Sequence, residues 1–383
     1  MMKKKFTFLL YSLLFSITAI CAQTEHQIPQ MEYVDVCEKP TVCKKLSRLI
    51  MGTDHLGKIP NEKTLEVLNE AAKLGINVFD TAPIYTDGIE MRLGDWIKSQ
   101  KRSDLFVITK GGFPRDLGPG TYSSRLQGTK KQIIDNILEE ITGSSQRLNN
   151  AITIYLMHRD DADFIDYKKT ARPQTPVKTI LEVLSDPLIK NKYSMLGLSN
   201  WKTSRVNASQ KLAKNTPNLV RPFFNSPYFS LLEMNSQTIH SGGVQVKHKE
   251  MMRSNFQNGV KIMSYSPLGG FSIFSKDWNT AKQNALDLKN KKDRYWRNVY
   301  DSIFTEANEK RYKRAIKFTE KFNKKYKTHY TLDQMANAYV LAHKRTDFII
   351  IGPRTIEQLR RTVEALKLSK LLTEKDLNYL YQN

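Results

Sequence analysis

The sequence predicts an α/β fold, a (β/α)8 TIM barrel with a helical insertion after strand seven. Three observations predict it. From Leu46 onward, eight short runs of apolar and β-branched residues recur, each followed by a longer amphipathic segment. That alternation implies parallel strands joined by helical crossovers. Eight such units favour a closed barrel over an open sheet. The first run also ends Gly52-Thr53-Asp54-His55-Leu56-Gly57, without the G-x-G-x-x-G turn that an open doubly-wound sheet would carry there.

The chain opens on a targeting pattern. Lys3, Lys4 and Lys5 precede an uncharged, mostly apolar stretch from Phe6 to Ile20. Its length suits a signal-peptide core and is short for a membrane span. Residues 1–22 are therefore expected to be a signal peptide cleaved near Ala22, with export to a periplasm, a secretory lumen or the outside. The alternative is an uncleaved N-terminal anchor. Ile20 fits poorly before a lipidated Cys21, and no later stretch is long and apolar enough to span a membrane. Residues 23–45 read as an irregular N-terminal extension. It holds Cys37 and Cys43, which either pair in an oxidising compartment or remain thiols. Neither is flanked by the second Cys/His pair that a zinc site needs, so no metal is expected.

The barrel is expected over residues 46–383. Its strands are read at Leu46–Gly52, Ile76–Thr81, Phe106–Thr109, Ala151–Met157, Ser194–Ser199, Pro222–Ser226, Val260–Tyr265 and Phe348–Ile351. Helical signals lie between them. The segment Asn61–Leu74 follows Pro60, carries apolar residues at Leu65, Leu68, Ala71 and Ala72, and stops at Gly75. One connection breaks the rhythm. Roughly sixty residues, about 271–330, separate Gly270 from Tyr330, too many for an ordinary loop. Runs such as Glu309–Lys325 look helical there, and a lid over the barrel mouth is one role for them.

Composition is that of an ordinary globular chain of 383 residues, and its 26% charged residues sum to a formal net charge of +22. A basic chain invites a nucleic-acid reading. The Lys and Arg are spread along the whole sequence, without the basic run interleaved with aromatics that single-strand binding uses. The densest stretch, Lys289 to Lys327, also carries Asp and Glu and reads as a solvated helical face. No nucleic-acid partner is expected.

Catalysis on a barrel is expected where strands end in polar residues at the C-terminal rim. Strand two ends Phe79-Asp80-Thr81-Ala82 with Tyr85 just beyond, strand three ends Thr109-Lys110, and strand four ends Met157-His158. Each residue alone is more often a cap, a solvated charge or a packed ring. Together they form a chemical device. A free phenol has a pKa of about 10 and is a poor acid at neutral pH. A neighbouring ammonium favours the phenolate and is expected to lower that pKa. A carboxylate orients the ammonium, and an imidazole fixes a carbonyl oxygen. Asp80, Tyr85, Lys110 and His158 supply those parts. Such a site delivers a proton to oxygen while a hydride reaches the adjacent carbon, and the hydride implies a nicotinamide. His158-Arg159-Asp160 also suggests a kinase loop, but the Gly-rich phosphate loop and D-F-G are missing.

These phrases, in order and spacing, resemble the aldo-keto reductase superfamily from Leu46 to about Leu372. The matching segments are Phe79-Asp80-Thr81-Ala82-Pro83-Ile84-Tyr85 followed by Gly88, Glu90, Leu93 and Gly94; Ile108-Thr109-Lys110; Leu156-Met157-His158-Arg159; Gly197-Leu198-Ser199-Asn200; Tyr265-Ser266-Pro267-Leu268; and Ile351-Gly352-Pro353-Arg354-Thr355 with Gln358-Leu359. The resemblance implies Tyr85 as general acid, Asp80 and Lys110 as the pair that tunes it, and His158 as the carbonyl-orienting residue. It implies Ser199 and Asn200 on the nicotinamide carboxamide and Tyr265 stacked on the nicotinamide ring. Ser266, Leu268 and Gly269 would lie by the pyrophosphate. Gly352, Arg354 and Gln358 would lie by the adenosine end, where Arg354 suits a 2′-phosphate and favours NADP(H) over NAD(H).

Two positions depart from the family pattern. Ser226 follows Asn225 where the family commonly has Gln, and Arg361-Thr362 stand where it commonly has Glu-Asn. Arg361 is a candidate to offset the lost adenine contact. The implied function is an NADP(H)-dependent oxidoreductase acting on a small carbonyl substrate. The alternative is an NADP(H)-binding sensor or regulatory subunit with little turnover. Trp201, Tyr228 and Phe271 are candidates for the pocket wall.

Overall fold

In the computed structural model, the eight runs close into one parallel barrel in which each strand pairs with the next in sequence and the eighth pairs with the first. The described residues are 30–86, 88–116, 122–160, 174–235, 238–239, 243–270, 272–290 and 300–382. The expected signal segment, Cys21 and Phe271 lie outside them. Barrel strands one to four are Leu49–Gly52, Val78–Asp80, Phe106–Gly111 and Ile152–Met157. Strands five to eight are Met195–Ser199, Pro222–Ser226, Lys261–Tyr265 and Phe348–Ile351. Ile50 sits beside Ile350 across the closing pair, and Lys110 sits beside Leu156 between strands three and four.

Strand periodicity sorts these residues into two cores. Ile50, Val78, Ile108, Ile154, Leu156, Met195, Phe224, Met263, Phe348 and Ile350 fill the barrel interior. Alternate residues such as Met51, Phe79, Val107, Tyr155, Leu198 and Ile262 pack outward against the helices. Strands buried on both faces read as continuous apolar runs, which is why all eight were visible in sequence.

The N-terminal extension differs from expectation. It is an antiparallel hairpin of Tyr33–Lys39 and Val42–Ser47, with Cys37 opposite Cys43 in a disulfide. Val36 and Leu46 from this hairpin join the interior core, so it stoppers the N-terminal end of the barrel. The first apolar run therefore belongs to two elements. Leu46 and Ser47 finish the hairpin, and the barrel strand starts at Leu49. Arg48 at the join donates to Leu341 O at 2.6 Å and pairs with Glu32 at 2.8 Å.

The first crossover helix spans Asn61–Lys73, buries Leu68, Ala71 and Ala72, and stops where Gly75 takes φ +87°. Arg360 from helix Ile356–Ser369 reaches its Glu70 at 2.8 Å. The insertion forms helices Trp278–Asn290 and Glu306–Tyr326. Its second helix presents Lys310 to Glu306 and Lys313 to Glu309, each at 2.6 Å, as a solvated face does. The other side packs on the barrel flank. Arg311 donates to Tyr381 O at 3.0 Å, and Asn308 brackets Glu233 by accepting from its N–H and donating to its carbonyl. The described contacts of this helix include the C-terminal helix Glu374–Tyr381, helix Leu332–Leu341 and the loop after strand six, on the barrel flank. No helix among the described residues is long and apolar enough to cross a membrane.

Candidate active site

Strand alternation decides which side chains reach the C-terminal mouth. Val78, Ile108 and Leu156 face the interior. Asp80, Lys110 and His158 each lie two positions further along and so face the same way at the rim. All three are buried, and Tyr85 stands half-buried on the turn that follows strand two. Lys110 Nζ is the hub. It lies 2.6 Å from Asp80 Oδ1, donates to Tyr85 Oη at 2.8 Å and donates to Thr81 O at 2.9 Å. The Tyr85 hydroxyl donates to Asp80 Oδ2 at 3.3 Å.

Burial dominates the ionisation of this cluster. It raises the Asp80 carboxyl and lowers the Lys110 ammonium, while their mutual attraction opposes both shifts. The expectation that Lys110 lowers the Tyr85 phenol is reversed. Burial, followed by the Asp80 charge, holds that phenol well above its ordinary value. Tyr85 therefore keeps its proton at neutral pH. Lys110 nonetheless sits where it meets a phenolate as soon as one develops.

His158 approaches from strand four. Its amide donates to Gly111 O at 2.7 Å, and its ring lies 6.1 Å from the Tyr85 ring and 5.0 Å from Phe113. Burial, then Arg159 and Lys110, push the imidazole well below its ordinary pKa. It is neutral at pH 7, with one ring N–H to donate. Its Nδ1 is buried without a hydrogen-bond partner among the described residues.

Asn200 joins the remaining strand ends. It adopts φ +61°, a conformation Asn tolerates better than most residues. Its amide nitrogen donates to His158 O at 3.1 Å and to Ser199 Oγ at 3.0 Å. Its amide oxygen accepts from Val244 N at 3.0 Å and from the Tyr265 hydroxyl at 2.7 Å. All four of its bonds are thus made within the protein, so an external carboxamide would have to exchange with one of them. Ser199 donates to Ser226 O at 3.1 Å. Tyr265 is half-buried, 5.9 Å from Tyr228 and edge-on to it.

The loop after strand seven turns tightly. Ser266 has φ +52°, Gly269 has φ +72°, and the Gly269 amide closes on Ser266 O at 2.9 Å beside half-buried Leu268. After strand eight, a Cβ at Gly352 would stand 2.8 Å from His55 Cδ2. Exposed Arg354 donates its backbone N–H to Gln358 Oε1 at 2.8 Å, and its guanidinium lies 3.4 Å from His55 Nδ1. Thr355 caps the helix Ile356–Ser369. A cation at the start of a long helix suits a phosphate group.

The other sequence candidates separate. Trp201 is fully buried, and Tyr228 is buried with its hydroxyl on Leu232 O, so both serve packing rather than a pocket wall. Arg361 is tied to Glu357 at 2.9 Å and Asp333 at 3.5 Å. Thr362 is buried with its hydroxyl on Gln358 O. Two functional neighbours escaped the sequence reading. Asp54, just past strand one, contributes a negative charge felt by Tyr85 and Lys110. His55 stands against Arg354. Their place on the rim after strand one was the available signal.

Comparison with known proteins identifies the family. The chain is 27% identical over 338 residues to the "Uncharacterized oxidoreductase YrpG" of Bacillus subtilis (strain 168), covering 85% of this chain and 89% of that one. It is 23% identical over 364 residues to the versiconal hemiacetal acetate reductase of Aspergillus parasiticus, covering 88% and 93%. The Aldo/keto reductase family model matches residues 48–382. With a closed eightfold barrel and a match across most of its length, the chain belongs to the aldo/keto reductase family and is an oxidoreductase of that type.

Proposed function

We propose that this protein is an NADP(H)-dependent carbonyl reductase in which Tyr85 is the general acid. The observation that carries the reading is the buried Lys110 ammonium, 2.8 Å from Tyr85 Oη and 2.6 Å from Asp80. The nicotinamide supplies the hydride when bound. The protein handles the proton. Neutral His158 offers an N–H that fixes the carbonyl oxygen near Tyr85. The Tyr85 hydroxyl swings from Asp80 to that oxygen and gives up its proton, and Lys110 stabilises the phenolate left behind. Asp80 keeps Lys110 charged and aimed.

Residues around the mouth fit a phosphate-bearing cofactor. Arg354 at the capped start of helix Ile356–Ser369 supports a 2′-phosphate contact, and the tight turn from Ser266 to Gly269 supports a pyrophosphate contact. Replacing Arg354 with Ala is expected to weaken NADPH binding by roughly 10- to 100-fold, the worth of a charge-assisted contact, and to leave NADH binding nearly unchanged. Fluorescence titration of both cofactors checks this. Equal losses for the two would remove Arg354 from phosphate recognition. The function itself is tested by following NADPH oxidation against reactive aldehydes and quinones. Tight NADPH binding without any turnover would favour a sensor or regulatory subunit.

We also propose that the protein is exported. The basic and apolar pattern of residues 1–22 and the Cys37–Cys43 disulfide support this. Fractionation of the source cells with intact-mass measurement is expected to find chains starting near Gln23 outside the cytosol. A cytosolic pool beginning at Met1 and accounting for all of the protein would overturn it.

A further inference from the structure

Glu140 lies on helix Lys130–Arg147, outside the tetrad, yet it holds the backbone from which the tetrad is hung. Its Oε2 accepts the Gly112 amide at 2.7 Å, two residues beyond Lys110. Its Oε1 lies 3.0 Å from Arg125 Nε, and the same Nε donates to Phe113 O at 3.0 Å. The Phe113 ring in turn lies 5.0 Å from the His158 ring, with the Arg159 guanidinium 5.2 Å above Phe113. One carboxylate therefore fixes the turn that ends strand three and the aromatic wall behind the imidazole. The turn tolerates little else. Gly112 has φ +75°, and a Cβ on Gly111 would collide with Tyr155 Oη.

We infer that Glu140 is a positioning residue for the reductase chemistry, gripping Gly112 and Arg125 so that Lys110 and His158 keep their places. The inference rests on the carbonyl-reductase reading above. The grip is also responsive to pH. Burial pushes the Glu140 carboxyl up to about 7, opposed by the Gly112 amide, Arg125 and Arg115 and reinforced by neighbouring Glu139. Across the interface it faces the buried Tyr155 hydroxyl of strand four, which is un-ionised near neutrality because burial holds it well above its ordinary value. Above pH 7 the ionised carboxylate makes charge-assisted contacts with both partners. Below pH 7 the protonated group loses the ion pair and becomes a weaker acceptor. His158 and Tyr85 are shifted away from this window, while burial moves Asp80 and Lys110 toward it, so a limb near pH 7 is assigned to Glu140 by its loss in Glu140→Gln.

The test compares the full chain with Glu140→Ala and Glu140→Gln. Turnover with NADPH is measured across pH 5.5–9, with active sites counted by NADPH binding, and protection of the Gly112 amide is measured by hydrogen exchange across the same range. Wild type is expected to lose kcat as pH falls through about 7. Glu140→Ala is expected to lower kcat by about 10- to 100-fold with KM little changed, and to expose Gly112. Glu140→Gln keeps an acceptor for Gly112 but lacks the ion pair, as the protonated acid does, so it is expected to hold kcat above Glu140→Ala, at the wild type's low-pH level, and to flatten the limb. Wild-type kcat and Gly112 protection in Glu140→Ala, or an unchanged limb in Glu140→Gln, would overturn the inference. If wild type shows no turnover at all, the reductase reading fails, and the exchange data judge the grip alone. Protection that steps up near pH 7 and vanishes in Glu140→Ala upholds it, and protection indifferent to both overturns it.

Discussion

Tyr85→Phe is expected to bind NADPH as wild type does and to lose about a thousandfold in turnover, the scale of a missing general acid. The substitution removes one oxygen. The ring that remains still lies beneath Lys110, whose Nζ stands 4.6 Å from its centroid, and still packs against the core. The fold should survive at a cost of about 1–3 kcal/mol, since the variant loses the 3.3 Å bond to Asp80 and the 2.8 Å bond from Lys110, whose ammonium keeps Asp80 and Thr81 O as partners. With the phenol held above its ordinary pKa, wild type has the proton ready at neutral pH, and Phe has none to give. Steady-state kinetics on any carbonyl that the wild type reduces, beside a cofactor titration, decides the matter. A variant retaining a tenth or more of wild-type kcat would show that the proton comes from elsewhere.

Lys110→Met is expected to abolish turnover and to destabilise the fold by about 3–5 kcal/mol, because it strands the Asp80 carboxylate in a buried site. Asp80 and Lys110 are 2% and 3% exposed, so solvent cannot take over the lost partner. Asp80 then either stays charged at high cost or takes up a proton. Removing both charges separates the two effects. The pair Asp80→Asn with Lys110→Met should recover most of the stability, because buried ion pairs are often no better than neutral groups of the same shape. It should recover no turnover, since nothing then meets a phenolate. Urea unfolding and kinetics on the single and the double variant test this. A single variant with wild-type stability would mean that Asp80 does not depend on Lys110 for its charge.

The sequence carried the barrel well because its strands are buried on both faces. Runs such as Phe348–Ile351 are apolar throughout, and no turn chemistry interrupts them. It carried the hairpin poorly. Leu46 and Ser47 run into Leu49–Gly52 with one charged residue between, so two elements read as one. The tetrad was legible because its members sit at or shortly beyond the C-terminal ends of strands two, three and four. Glu140 was not, because its position on a helix gives no sign that it faces Gly112. The direction of the Tyr85 shift was misjudged for a related reason. Proximity to Lys110 was inferable from strand order, whereas burial and the closeness of the Asp80 charge depend on three-dimensional packing.

The closing pair of the barrel also dictates when the protein can become itself. Leu49–Gly52, near the start of the chain, has Phe348–Ile351 as one of its two neighbours, and Arg48 is anchored on Leu341. A growing chain can form the disulfide-bearing hairpin early, from contacts close in sequence. Its first barrel strand must wait for nearly the whole polypeptide to emerge before its second edge is covered. Chains halted before residue 348 leave that edge exposed and prone to aggregation or proteolysis. Slow completion of this kind also keeps a polypeptide threadable while it is being made, as the proposed export would require.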